Sequence, residues 1–267
     1  MPSSTQRIFR VRREYNTWVA NETLEDYALR YTPRSFRRWS EFRVANTAFG
    51  AVSFLALEAI GATMVVNYGF TNTVLAILVV GLLTFLTGLP ISYYAARAGV
   101  DMDLLTRGAG FGYLGSTFTS LIYATFTFIF LALEAAIMGM ALQMAFGWPI
   151  AWCYLLSAVV IVPAVFFGVT FISRLQWWTQ PLWLFLWLCP FVFILFADPG
   201  AFADFASVTG RVSGDSGFDW VMFGLAATVA FSLIVQIGEQ VDYLRFLPEK
   251  SAANRYRWWA AVLVAGP

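Results

Sequence analysis

The feature that most constrains this chain is a succession of apolar runs, each able to cross a hydrocarbon core about 30 Å thick as a helix of about 20 residues. These runs lie near 44–67, 72–95, 114–146, 149–171, 177–197 and 219–246, and a seventh begins near 257. Lipid offers the backbone no water, so a spanning segment must pair its own amides, and an unbroken apolar run does so as an α-helix. The expected fold class is therefore all-α and integral to a membrane. Composition agrees: only 12% of the residues are charged, against roughly 25% in a soluble domain. Turn signals at Asn67-Tyr68-Gly69, Gly147-Trp148-Pro149, Ser173-Arg174 and Asp198-Pro199-Gly200 separate the runs, and the second is expected to end near Pro90 and Tyr94.

Basic residues set the orientation. With the N-terminus in the cytoplasm, every one of the 17 Lys and Arg residues except Arg211 falls on the cytoplasmic side. Arg211 sits in the 198–218 loop near Asp198, Asp204, Asp215 and Asp219. Positive charge resists translocation, so this distribution predicts a cytoplasmic N-terminus in a plasma membrane of bacterial type. Residues 1–43 then form a cytoplasmic segment, polar enough to argue against a cleavable signal peptide. Residues 44–267 form the membrane domain. The run from Ala260 to Pro267 reads as the first half of a seventh span, which predicts a membrane domain continuing past it. Trp148, Trp152, Trp177, Trp178, Trp220, Trp258 and Trp259 sit at span ends, as interfacial anchors do, whereas Trp183 and Trp187 fall well inside a span.

Ionisable groups inside apolar spans are costly to bury, so they are the first candidates for function. Glu58 lies in span one and Glu134 in span three, each in the pattern Phe-Leu-Ala-Leu-Glu-Ala and each expected at similar depth. Both can line a substrate site and bind a coupling cation or proton. Ser53 and Phe130 stand five and four residues ahead of them. In span six, Gln236, Gly238, Glu239, Gln240 and Asp242 crowd polar groups around a glycine, a pattern that predicts local unwinding beside a cavity. Gln236 is the best placed to face it, while Glu239, Gln240 and Asp242 approach the inner interface. Span one carries a matching irregularity, with Gly50 and Gly61 bracketing Ser53 and Glu58. Interrupted helices one and six running in opposite directions are the mark of an inverted repeat with its substrate near the midplane.

Other chemistry is poorly represented. The chain has no histidine, and its two cysteines lie in apolar runs. Gly110-Phe111-Gly112-Tyr113-Leu114-Gly115 matches a glycine-rich phosphate loop in spacing alone, since no strand precedes it. We find no nucleophile–base pair, no metal-ligand spacing and no basic surface for nucleic acid. No cofactor is expected in this segment beyond a coupling Na⁺ or H⁺. The expected partners are the bilayer and a small-molecule substrate.

Three segments resemble the nucleobase:cation symporter-1 family of purine, cytosine and allantoin permeases. They are Glu25-Asp26-Tyr27-Ala28-Leu29-Arg30-Tyr31 with Pro33-Arg34-Ser35 and Arg38-Trp39-Ser40, then Arg107 with Phe111-Gly112-Tyr113-Leu114-Gly115-Ser116, and finally Asp242-Tyr243-Leu244-Arg245-Phe246-Leu247-Pro248. The resemblance implies a LeuT-like fold of two inverted five-helix repeats, here the first repeat and the start of the second. It also implies H⁺- or Na⁺-coupled import of a nitrogen heterocycle, with Glu58, Glu134, Gln236, Ser53 and Phe130 as substrate-site candidates. Leu244 departs from the family's usual small residue, and helix three lacks the tryptophans of some relatives. The stretch from Arg7 to Tyr27 and Leu89-Pro90-Ile91-Ser92-Tyr93-Tyr94 also resemble the permease-like modules of hybrid sensor histidine kinases. That likeness implies a ligand-sensing input domain fused to a cytoplasmic signalling domain.

Overall fold

A computed structural model of the chain describes residues 31–51, 54–166, 168–212 and 214–265. Among these the chain is helical with no strand. Helix α1 is Glu41–Ala51, α2 Leu55–Tyr68, α3 Phe70–Ala98, α4 Met102–Thr106, α5 Gly112–Phe146, α6 Ile150–Phe166, α7 Gly168–Ala197, α8 Gly200–Ala206, α9 Trp220–Phe231, α10 Val241–Leu244 and α11 Arg255–Ala265. Four stretches are long and apolar enough to cross a membrane: Phe70–Ala98, Met102–Phe146, Gly168–Ala197 and Trp220–Leu244. The pair α1 and α2 makes a fifth when taken as one span bent by 51°. This is a multi-pass membrane protein. Its apolar side chains face outward along α5 and α7, where lipid replaces water as the solvent for Phe118, Phe128, Phe185 and Phe193.

Both expected interruptions are present. Span one is two helices, and span six passes from α9 through a 3₁₀ turn at Ser232–Gln236 into the short α10. The halves pair crosswise: α2 packs on α9, and α1 packs on α10. Spans one and six therefore run antiparallel. Met64, Ala76 and Ala226 form the apolar contact at one end. At the other end a larger core gathers Trp39, Val44, Ala95, Val241, Leu244, Leu247 and Trp258 from α1, α3, α10, α11 and their connections.

Three details depart from the sequence expectations. Pro90 does not end span two, since α3 runs on to a left-handed cap at Gly99, φ +66°. Its missing N–H is tolerated inside a membrane helix where neighbours compensate. Ser173-Arg174 does not divide spans four and five either. The helix boundary lies at Gly168, whose φ of +74° turns the chain. Ser173 is instead a buried contact inside α7: its hydroxyl accepts from Arg43 Nε at 2.9 Å and lies 2.9 Å from the Thr47 hydroxyl. A polar pair in the sequence here marks a helix–helix contact. Trp177 and Trp178 accordingly lie within α7.

The Arg-rich end is locked by one side chain. Arg37, 6% exposed, donates to the carbonyls of Leu247 at 3.0 Å, Arg97 at 3.3 Å and Ala96. Ala96 and Arg97 are among the last residues of α3, whose orphan carbonyls attract a cation. Burial pulls the Arg37 pKa below its ordinary value; nearby Glu249 pushes it back up, and Arg34 lowers it. Trp39 stacks on Phe246 with ring centroids 4.8 Å apart, and the Arg43 guanidinium lies over the Trp39 ring, 4.0 Å from its centroid. The segment ahead of span one and the segment after span six thus form one unit. A buried acceptor left without its donor costs about 1–3 kcal/mol, so Arg37→Ala is expected to lower Tm in detergent clearly. Arg37→Lys should recover only part of the loss, because an ammonium lacks the fork that serves three carbonyls. Thermal unfolding of the purified variants measures both.

Candidate functional site

The break in span one defines the site. Helix α2 begins at Leu55, and no side chain caps it from Phe54. Its first amides lack intrahelical acceptors. Glu134, from the middle of α5, fills that role: the Ala56 N–H donates to Glu134 Oε1 at 2.7 Å. One turn before Glu134 on the same face of α5, Phe130 stacks on Phe54, with centroids 5.2 Å apart and planes at 16°. One turn further back, Phe126 stacks on Phe130 at 4.6 Å. Phe130 is 6% exposed and Glu134 is half-buried. A carboxylate and an aromatic wall therefore meet at an interrupted membrane helix, next to the helix N-terminus where an anion is electrostatically favoured.

Glu58 stands in the first turn of the same helix, two residues past the amide that Glu134 accepts. The two carboxylates share a level, but they do not share a cavity. Glu58 turns toward α7, where Trp187 Nε1 donates to its Oε1 at 3.0 Å. It lines a cleft of about 530 Å³ with Leu55, Trp183, Trp187, Pro190 and Phe191. On another face of α2, a pocket of about 310 Å³ is bordered by Ala56, Thr63, Asn67, Leu133, Ile137 and Val229 of α2, α5 and α9. Tyr68 and Met64 complete its walls.

Gln236 ends the 3₁₀ turn of span six, which packs on α5. It is half-buried, and no hydrogen bond joins its side chain to Glu58 or Glu134 among the described residues. Ser53 lies outside the described residues, as do the motif residues from Glu25 to Arg30. The structure thus brings Phe130 and Glu134 together at the helix break and places Glu58 beside it, facing another way. Gly238 sits in the unwound stretch against the Met102 side chain of α4, whose thioether end would have to shift to admit a β-carbon.

Two further groups belong to the region. Trp187 was visible in the sequence as a tryptophan too deep in its span to be an interfacial anchor, and an indole N–H on an apolar, lipid-facing surface needs an acceptor. Glu239 and Asp242 line a third cavity, of about 300 Å³, with Thr47, Tyr123, Gln176 and Arg245. Glu239 is exposed there and Asp242 half-buried, both at the Arg-rich end. No protein-family model, no curated protein and no solved structure matches the chain.

Charged hydrogen bonds contribute about 1.5–3 kcal/mol each. Glu134→Ala is therefore expected to destabilise the protein by roughly that amount, while Glu134→Gln, which keeps an acceptor oxygen for the Ala56 N–H, should lose less. Paired Tm measurements on the two variants check the ordering, and equal losses would remove the capping role.

Proposed function

We propose that the protein is a secondary-active permease, importing a nucleobase-like nitrogen heterocycle together with H⁺ or Na⁺. In this reading it is a LeuT-like inverted-repeat transporter of the plasma membrane with a cytoplasmic N-terminus. The observation that carries the reading is the break in span one, where the Glu134 carboxylate meets the α2 amide and the Phe54–Phe130 stack stands alongside. An aromatic wall suits the face of a planar heterocycle, and a carboxylate suits its N–H edge. The antiparallel pairing of α1–α2 with α9–α10 supports the inverted repeat. Lys and Arg crowding at one end supports the orientation.

Glu134 is the natural coupling residue of this arrangement. Its protonation, or a cation beside it, would weaken its hold on the Ala56 amide and so bias the geometry of the helix break. Coupling of this kind requires one group to interact differently with two states of the protein. Glu58, held by a neutral indole N–H, is the second candidate.

Uptake of radiolabelled uracil, cytosine, hypoxanthine, adenine and allantoin by cells expressing the native gene product tests the reading, with pH and sodium gradients imposed separately. Accumulation of at least one of these compounds is expected. Glu134→Gln should reduce it about tenfold or more, the equivalent of one 1.4 kcal/mol interaction. Undiminished uptake by both Glu58→Gln and Glu134→Gln would exclude an essential role for either. No uptake of any heterocycle under either gradient would exclude the permease reading.

A further inference from the structure

At the Arg-rich end, two cations share an aromatic platform at the rim of the membrane domain. Arg97 stands in the last turn of α3, and Lys250 lies in the connection between α10 and α11. Tyr93, one turn before Arg97, stacks on Trp259 with centroids 5.4 Å apart and planes at 14°. Trp258 meets both rings edge-on, 6.0 Å from Tyr93 and 5.4 Å from Trp259. It is 1% exposed, and its indole N–H donates to the Pro248 carbonyl at 3.1 Å, which fixes the platform. The Arg97 guanidinium lies 6.0 Å from the Tyr93 ring centroid, with Nη1 donating to the Tyr93 hydroxyl at 3.4 Å. The Lys250 ammonium lies 4.7 Å from the Trp259 ring and 5.5 Å from the Trp258 ring. Tyr93, Arg97, Glu249, Lys250 and Trp258 line one pocket of about 290 Å³.

Both cations are exposed, and no ion pair joins either to a carboxylate among the described residues. Glu249, in the same wall, is already engaged: Arg34 Nε lies 2.7 Å from its Oε1, and Arg37 is 4.0 Å from the same oxygen. A ring face attracts a cation without consuming its N–H groups, so Arg97 and Lys250 keep donors for an anion. Depth identifies the kind of anion. Helix α3 has 29 residues and is about 44 Å long at 1.5 Å per residue, close to the 40–45 Å of a bilayer with its headgroups. Arg97 therefore lies at headgroup level, where tyrosine and tryptophan also settle. Below it, Leu86, Pro90 and Tyr94 are exposed at four-residue spacing and form an apolar strip down one side of α3.

We propose that this pocket binds the headgroup of an anionic phospholipid, with its phosphodiester bridging Arg97 and Lys250 and an acyl chain along the Leu86–Pro90–Tyr94 strip. Arginine and lysine at a membrane interface are suited to a phosphate oxygen, and a charged donor makes the stronger hydrogen bond. Phosphatidylcholine presents the same phosphodiester beside a quaternary ammonium, which the two cations repel. Phosphatidylglycerol carries no such charge, and its hydroxyls are donors for Glu249. The site rests on the membrane-spanning fold alone and is independent of what the protein carries.

Native mass spectrometry of the full chain in an uncharged detergent measures its affinity for dioleoylphosphatidylglycerol against dioleoylphosphatidylcholine. The native protein should favour phosphatidylglycerol. Arg97→Gln and Lys250→Gln should each lower that affinity about fivefold, the contribution of one basic residue at an anionic lipid surface. Lys250→Arg, which keeps the charge, should retain the preference. Arg255→Gln combined with Arg257→Gln removes two exposed cations of the same end that do not line the pocket, and this variant should behave as the native protein. An equal loss in that variant means diffuse surface attraction and overturns the site. A native protein without the preference, or a preference untouched by Arg97→Gln and Lys250→Gln, overturns it too. Excess inorganic phosphate, compared with chloride at equal ionic strength, should leave the lipid bound; displacement overturns a lipid as the occupant. Both side chains are exposed, so the variants should keep the native Tm, and Lys250→Gln decides alone if Arg97→Gln does not fold.

Discussion

A helix broken inside hydrocarbon exposes amides that no solvent can satisfy, and most of this structure is organised around that constraint. The first amides of α2 have no intrahelical acceptor, so one must come from elsewhere. Glu134 supplies it from a different span. This fixes the level of α5 against the break, and with it the position of every residue one turn away on the same face. Phe130 and Phe126 follow at intervals of four and stack in series toward Phe54. A single charged hydrogen bond thus sets the register of the aromatic wall. The 3₁₀ turn at Ser232–Gln236 packs on the same helix, so α5 is the rail against which both interruptions are held.

The two ends of the protein differ in how many buried polar groups join them. At one end α2, α3 and α9 meet through small and medium apolar side chains. Asn72, 1% exposed, ties the connection ahead of α9 to α3 by accepting from the Asp219 N–H and donating to the Gly217 carbonyl. At the Arg-rich end, buried polar contacts reinforce the larger apolar core: Arg37 to three carbonyls, Arg43 to Ser173, and Gln240 Nε2 to Ser92 Oγ at 3.4 Å. Polar contacts of this kind have fixed geometry and few alternatives, whereas apolar contacts between helices can slide.

Much of the architecture was legible in the sequence because the membrane restricts the options so severely. Run length located four spans, or five with the bent pair of span one, but the run near 149–171 forms only the shorter apolar helix α6; Gly69 and Gly147 marked turns that the backbone does make with positive φ. The polar cluster at Gln236–Asp242 announced a real loss of helix. Where the reading failed, the cause was that one residue type serves two purposes. Ser173-Arg174 resembled a loop, yet Ser173 is buried between α1 and α7. Pro90 resembled a terminus, yet α3 continues past it. The candidate-site residues could be singled out one by one in the sequence, but not their arrangement. Glu58 and Glu134 share a sequence pattern and a level, while their opposite facing depends on helix rotation, which tertiary packing sets. Trp187 could be flagged only as misplaced, since its partner Glu58 is 129 residues away in the chain.

The location of the protein's own carboxylate constrains what can bind at the break. A half-helix N-terminus in a membrane cavity is a ready anion site, and a protein that left it open would invite an anionic ligand. Here Glu134 already occupies it. A second anion would meet repulsion from Glu134 in a medium that screens charge weakly. A neutral or cationic group bearing N–H donors would instead share the carboxylate's remaining lone pairs. On the proposed permease reading, the sign of the ligand would therefore be set before any pocket shape is considered. The same carboxylate cannot serve the helix and a ligand with equal strength at once, so occupancy of the site and closure of the helix break are linked through one oxygen pair. On the proposed permease reading, that linkage would couple the arrival of a small N–H donor to the angle between α1 and α2.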